Sequence, residues 1–117
     1  KKKFDLYNNG NHFRDFTYVE DVNKIIKRLL NKKLRGNDVF NICSNKSIKI
    51  TTVINFINKH MDKSYVKVNK LGLQEADVIK THGNNYKIKK LLNFKKFTPI
   101  EIGLKSMIHW YKIENKL

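Results

Sequence analysis

Apolar positions along the 117-residue chain change period several times, and each change marks an element boundary. Residues 3–7, KFDLY, alternate and predict a short strand. The cluster NNGN at 8–11 predicts a hairpin-like reversal, with Gly10 free to take a positive φ. After an extended stretch from Arg14 to Thr17, Val19, Val22, Ile25, Ile26, Leu29 and Leu30 fall at helical spacing. With Thr17 and Glu20 as a capping box, they predict a helix over 19–33. RGND at 35–38 breaks that helix, and DVFNIC reads as a short buried strand followed by the loop CSNKS. Val53, Ile54, Ile57 and Met61 share one stripe, with Phe56 beside it. They predict a second helix capped by Thr51 or Thr52, and YVKV at 65–68 is a further strand.

From Asn69 to Asn85 no period holds, which predicts a loop with a brief extended piece near Val78 and Ile79. Asn84 or Asn85 then starts a short helix reaching Leu92. The last helix is the clearest: Thr98, Pro99 and Glu101 supply an N-cap, a first-turn proline and a capping-box acid in order. Ile100, Leu104, Met107, Ile108 and Tyr111 form its stripe. The pattern is mixed α/β, about four helices with short mixed strands, without a full run of βα units.

A hydrophobic fraction of 40% and an aromatic fraction of 11% exclude wholesale disorder and leave enough apolar surface for one core. The formal charge of +15 raises nucleic acid or an anionic surface as a partner. Against that, Arg14, Arg28 and Arg35 are the only arginines. The lysines are dispersed apart from short clusters at 1–3, 87–90 and 95–96. A solvated surface together with AT-rich coding is the favoured source of the charge, and a polynucleotide partner is disfavoured.

Cys43 is the single cysteine, so an intrachain disulfide is excluded. Its place in FNIC suits a small buried side chain, and a reducing, cytoplasmic setting is expected. No apolar run approaches the roughly 18 residues of a membrane span, and no signal-peptide core follows the basic start. His12, His60, His82 and His109 lack metal-ligand spacing, which argues against a zinc site.

Four segments together resemble one family. RDFTYVEDV at 14–22 resembles the strand-to-helix corner of extended short-chain dehydrogenases/reductases that act on nucleotide sugars. FNICSNKSIKI, LQEADV and LLNFKKFTPIEIGLKSMIHWY follow in the family's order and cover nearly the whole chain. Gln74, DLYNNG and the WY ending are similar to the UDP-glucuronate 4-epimerase branch. The resemblance implies the C-terminal substrate-binding part of an extended Rossmann-type fold, with residues 1–117 as one nucleotide-sugar-binding portion.

On that resemblance Arg14 meets the UDP pyrophosphate, a role its bidentate, permanently charged guanidinium suits. Outside the family context, an ion pair with Asp15 or Asp21 is the expected use of this arginine. Asp77 is implied at a ribose hydroxyl, Gln74 near the phosphates, and Tyr7 on the strand flanking the uracil, where core packing competes. Asp15 and Asp21 are expected to cap or orient the corner in support of Arg14, without a catalytic role.

The family's reaction draws on NAD, held by a glycine-rich turn, and on a Tyr-x-x-x-Lys pair that deprotonates the sugar hydroxyl. Gly10, Gly36, Gly72, Gly83 and Gly103 do not have that glycine spacing. Tyr86 and Lys90 match the pair literally but precede LLNF, where the family has a peripheral helix, so they are read as a coincidence. Cys43 and Ala76 stand where relatives carry Gly, Asn84 where an Asp is common, and Asn93 where the family has the Gly of LGF.

The expectation is a UDP-sugar-binding fragment that binds no cofactor alone and is inactive without a separate or missing N-terminal NAD-binding half, in a family of homodimers. The alternatives are a basic non-enzymatic module for nucleic acid or anionic surfaces, and a fragment of a sister dehydratase or decarboxylase.

Overall fold

The computed structural model describes residues 3–34, 36–61 and 66–116. It is mixed α/β, with four helices and short strands. In order these are β1 (Phe4–Leu6), a 3-10 turn (Tyr7–Gly10), β2 (Phe13–Asp15), α1 (Val19–Leu30), β3 (Ser47–Lys49), α2 (Ile50–His60), β4 (Val68–Lys70), α3 (Tyr86–Leu92) and α4 (Ile100–Glu114).

The strands pair across long separations, and the expected hairpin at residues 8–11 does not form. β1 runs parallel to β4, with Phe4 opposite Val68 and Leu6 opposite Lys70. β2 runs antiparallel to β3, with Phe13 opposite Lys49 and Asp15 opposite Ser47. Asn8, Asn9 and Gly10 have φ of 48°, 50° and 78°. Three left-handed residues in succession carry the chain from one sheet to the other, where a two-residue hairpin turn would fold it back on itself. The Asn8 and Asn9 amides donate to the Gly72 and Leu71 carbonyls, both at 3.1 Å. Gly10 is required there for its positive φ and for space, since a Cβ would stand 2.6 Å from Thr51 Cγ2.

The expected strand at DVFNIC is also absent. Among the described residues no strand lies beside it, and Val39 is 82% exposed. Its polar groups find side chains instead: Asn85 Nδ2 donates to the Cys43 carbonyl and Lys87 Nζ to that of Val39. Phe40 and Ile42 still pack against the core, which centres on Ile25 of α1, Ile88 of α3 and Phe94. Apolar content here reflects packing rather than sheet pairing. Of YVKV, Tyr65 lies outside the described residues, as do Lys1, Lys2 and Arg35, and the strand begins at Val68.

Helix positions follow the apolar stripes, but their caps differ from expectation. α1 ends at Leu30, three residues before Lys33, and its N-cap is Tyr18 without the box from Thr17 and Glu20. α2 starts at Ile50, ahead of Thr51 and Thr52, directly from β3 and with no side-chain cap. At α4 the N-cap is Pro99. Thr98 is spent elsewhere, its amide and hydroxyl donating to Asp21 Oδ2 and Oδ1 at 2.6 and 3.0 Å. Asp21 is 3% exposed, and a buried carboxylate draws in whatever donors reach it. α3 starts after Asn85, as its sequence implies, and Asn93 ends it in the left-handed conformation at φ 50°, ψ 42°.

Candidate functional site

A third extended piece lies against β2 and assembles the site. The Phe13 amide donates to the Ile79 carbonyl at 2.8 Å, and the Thr81 amide donates to the Phe13 carbonyl at 3.1 Å. This short parallel bridge, Phe13 to Lys80, is the extended piece expected near Val78 and Ile79. It carries Asp77 over β2, beside Arg14.

Arg14 is held on several sides. Its Nη1 donates to the carbonyls of Phe13 and Ile79 at 2.9 and 3.3 Å, and its Nη2 to Asp77 Oδ1 at 3.3 Å. Those bonds fix the plane of the guanidinium and spend three of its five N–H donors, leaving the rest for a ligand. The partner is Asp77, not the Asp15 or Asp21 expected of a bare surface pair. At 3.3 Å, with the two side chains 30% and 27% exposed, the pair is longer than a tight charge-assisted bond of about 2.8 Å.

The other oxygen of Asp77 faces His12. His12 Nε2 lies 3.2 Å from Asp77 Oδ2, and the His12 side chain is 7% exposed. The contact is close enough for an ion pair but is not aligned as a hydrogen bond, so Nε2 is a buried polar atom without one. Considering His12 only as a metal ligand misses this. Positions 12 and 14 are two apart in extended chain, and that alternation was the available signal that both face the same side.

Gln74 and Tyr7 lie on neighbouring segments but do not join this cluster. The Asp77 amide donates to the Gln74 carbonyl at 3.1 Å, closing a turn, while the Gln74 side chain is exposed. Tyr7 belongs to the 3-10 turn, not to the strand, and is half-buried. That turn is tied to residues 71 and 72, so Tyr7 and Gln74 flank the same edge.

Asp15 and Asp21 organise backbone rather than touching Arg14. Asp15 accepts from Ser44 N and Oγ at 3.0 and 2.6 Å, from Asn45 N at 3.1 Å and from Gly83 N at 3.0 Å. Adjacent to it, burial pushes the Cys43 thiol above its ordinary value, and the Asp15 carboxylate adds to the rise. Cys43 is therefore a protonated packing residue at neutral pH. Among the described residues no cluster of His, Cys, Asp and Glu is placed to hold a metal, and no helix is long and apolar enough to cross a membrane.

A separate cavity of about 310 Å³ contains neither Arg14 nor Asp77. Lys46, Lys89, Lys95 and Lys96 line it over Phe16 and Phe97, with Glu101 as its one acidic lining residue.

The profile of the NAD dependent epimerase/dehydratase family matches residues 1–43. An uncharacterized protein of Methanocaldococcus jannaschii is 37% identical over 115 residues, covering 98% of this chain and 34% of the relative. The UDP-glucuronate 4-epimerase of Thermodesulfobacterium geofontis is 31% identical, covering 96% and 34%. Among solved structures, MoeE5 in complex with UDP-glucuronic acid and NAD superposes with a TM-score of 0.84 at 23% identity, covering 94% of this chain and 36% of that one. The chain thus spans about a third of the length of the proteins it matches.

Proposed function

We propose that the chain, whose residues 1–43 match the NAD dependent epimerase/dehydratase family, forms the nucleotide-sugar-binding portion of an enzyme resembling UDP-glucuronate 4-epimerase. The observation that carries this reading is Arg14: a half-buried guanidinium, fixed in plane by two carbonyls and loosely paired to one carboxylate. That is the geometry of a cation prepared for a diphosphate. In this reading Arg14 binds the pyrophosphate, and Asp77 accepts hydrogen bonds from the ribose hydroxyls. Gln74 lies near the phosphates, and Tyr7 covers the uracil from the adjoining turn.

The five glycines of this sequence do not form a dinucleotide-binding turn. Neither Gly10 nor Gly36, the two with positive φ, leads directly into a helix N-terminus. These residues do not fit NAD, and no hydride step is assigned to them. The complete enzyme would draw its redox chemistry from NAD. In our reading it is held by an NAD-binding half that lies outside these 117 residues, and these residues by themselves bind sugar nucleotide without turnover.

Titration calorimetry with UDP-glucuronate tests the binding role. Arg14→Ala should weaken affinity about 10- to 100-fold, the worth of a charged hydrogen-bonded contact; unchanged affinity refutes the phosphate role. Turnover by the purified chain, with no partner added, refutes the second part.

The lysine-lined cavity supports a second reading, a basic module that holds a polyanion. Binding of that kind falls steeply with salt and is indifferent to Arg14, whereas the nucleotide site depends on that one residue.

A further inference from the structure

Asp77 has a cation or potential cation at each oxygen: Arg14 at Oδ1 and His12 at Oδ2. The two partners are not alike. Arg14 is partly exposed and can turn to a ligand. His12 is 6% exposed, and its backbone is held where its carbonyl accepts from the Ile50 amide at 2.9 Å at the start of α2.

We infer that His12 is the positioning residue that holds Asp77 when a diphosphate draws Arg14 away, so that binding a nucleotide sugar takes up a proton. The inference rests on the proposed role of Arg14 and extends it to the residue behind it. A diphosphate carries more charge than one carboxylate and outcompetes Asp77 for the guanidinium. Asp77 is then a half-buried anion that, beside the neutral ribose hydroxyls, has His12 as its remaining ion-pair partner among the described residues. Left neutral and misaligned, His12 would leave that carboxylate uncompensated, a costly state in a partly buried site. Protonated, its Nε2–H reaches Oδ2 after a small rotation, since the atoms already stand 3.2 Å apart.

The loss of Arg14 therefore strengthens the field of Asp77 at the imidazole and raises its hold on a proton. The proton comes from solvent and goes to the ring nitrogen, with no bond broken. The same step restores a fixed acceptor for the ribose hydroxyls.

The other titratable groups around His12 do not remove this coupling. Lys49 on β3 and Lys80 on the bridging segment pair with Phe13, next to His12, and Tyr7 lies in the preceding turn. Among the described residues Asp77 is the only carboxylate within ion-pair distance of it.

The test is calorimetry of UDP-glucose binding near neutral pH in two buffers of different ionisation enthalpy. The phosphates of UDP-glucose are diesters and carry no proton there. The wild-type chain should show a buffer-dependent enthalpy equal to uptake of a fraction of a proton, and affinity should fall as pH rises. His12→Gln should abolish the buffer dependence and weaken binding about tenfold, while binding still requires Arg14. Equal buffer dependence in both proteins, or none in the wild type, overturns the inference and leaves the role of Arg14 standing. Binding that ignores Arg14, or no binding at all, overturns both.

NMR of the His12 ring gives an independent measure that does not require the His12 variant to fold. Adding UDP-glucose near neutral pH should shift the ring-nitrogen resonances of the wild-type chain toward the doubly protonated form. Unmoved resonances show that the ligand does not protonate His12, and the inference fails without touching Arg14.

Discussion

Gly83 and Asp15, 68 positions apart, meet where the Gly83 amide donates to Asp15 Oδ2 at 3.0 Å. With Ser44 and Asn45 on the same carboxylate, Asp15 fastens three segments, β2, the loop at 44–45 and the approach to α3. Asp15→Asn puts an N–H₂ where N–H donors converge. It should cost about 2–4 kcal/mol, the loss of charge-assisted bonds with donors left facing a donor. Urea unfolding measures it, and a midpoint unchanged from wild type would show that the loop holds without Asp15.

Gly83 is also pinned by what lies beside it. A Cβ there would fall well inside the van der Waals contact distance of Cys43 Sγ and 2.9 Å from Cys43 Cβ. Gly83→Ala should therefore destabilise by about 1–3 kcal/mol as an overpacked contact. Adding Cys43→Gly, which removes the opposing side chain, should recover most of that loss. Simple additivity of the two changes in a double-mutant cycle would mean that they do not meet.

The same cysteine gives a pH signature. Burial and Asp15 raise its thiol above the ordinary value, so the folded state holds that proton more tightly than the unfolded chain. This contribution is fully present below the unfolded thiol value and is lost as pH rises towards the folded one. Alkylation of Cys43 near pH 8 should be slower in the native protein than in urea, where the thiolate forms freely. Equal rates would contradict the shift.

Asp38 titrates in the opposite sense. The hydrogen bond from Lys87 holds its carboxyl below the usual range. The resulting stability is present above the ordinary carboxylate value and fades as pH falls through the lowered one. Because the pair is exposed, the effect should be small and disappear at high salt. Asp38→Asn should flatten that part of the acid-unfolding curve, and a curve identical to wild type would count against it.

Asp21 joins the first turn of α1 to the residue that precedes α4. Thr98→Ala removes the hydroxyl and leaves the amide bond, and should cost about 1 kcal/mol. Asp21→Ala strands both donors and should cost about 3 kcal/mol. A larger loss for Thr98→Ala than for Asp21→Ala in thermal unfolding would reverse this assignment.

α1 and α4 were legible because Ile25 and Ile108, each buried, sit on apolar stripes with a 3.6-residue period, α2 was legible from the stripe of Val53, Ile54, Ile57 and Met61 although it fully buries no residue, and α3 from the asparagines before it. Asn93 and Gly10 were legible from their tolerance of positive φ. Capping was not, because Thr98 can serve either its own helix or a distant carboxylate, and only the fold brings Asp21 within reach. Residues 38–43 misled for a related reason: β-favouring side chains specify a strand only where another strand can pair. Arg14 and Asp77 were legible as separate motifs. Their union, and the presence of His12 behind them, depended on the bridge between Phe13 and Lys80.

That dependence bears on how the chain folds. β1 gains its partner only when Val68–Lys70 returns to it, and Arg14 meets Asp77 across 63 positions. Helices form from local contacts on fast timescales, whereas such closures pay loop entropy before any pairing rewards it. The cluster of His12, Arg14 and Asp77 is thus among the last parts to assemble. A ribosome-bound chain that has not yet emerged past Lys80 can hold its first helices and still lack that cluster.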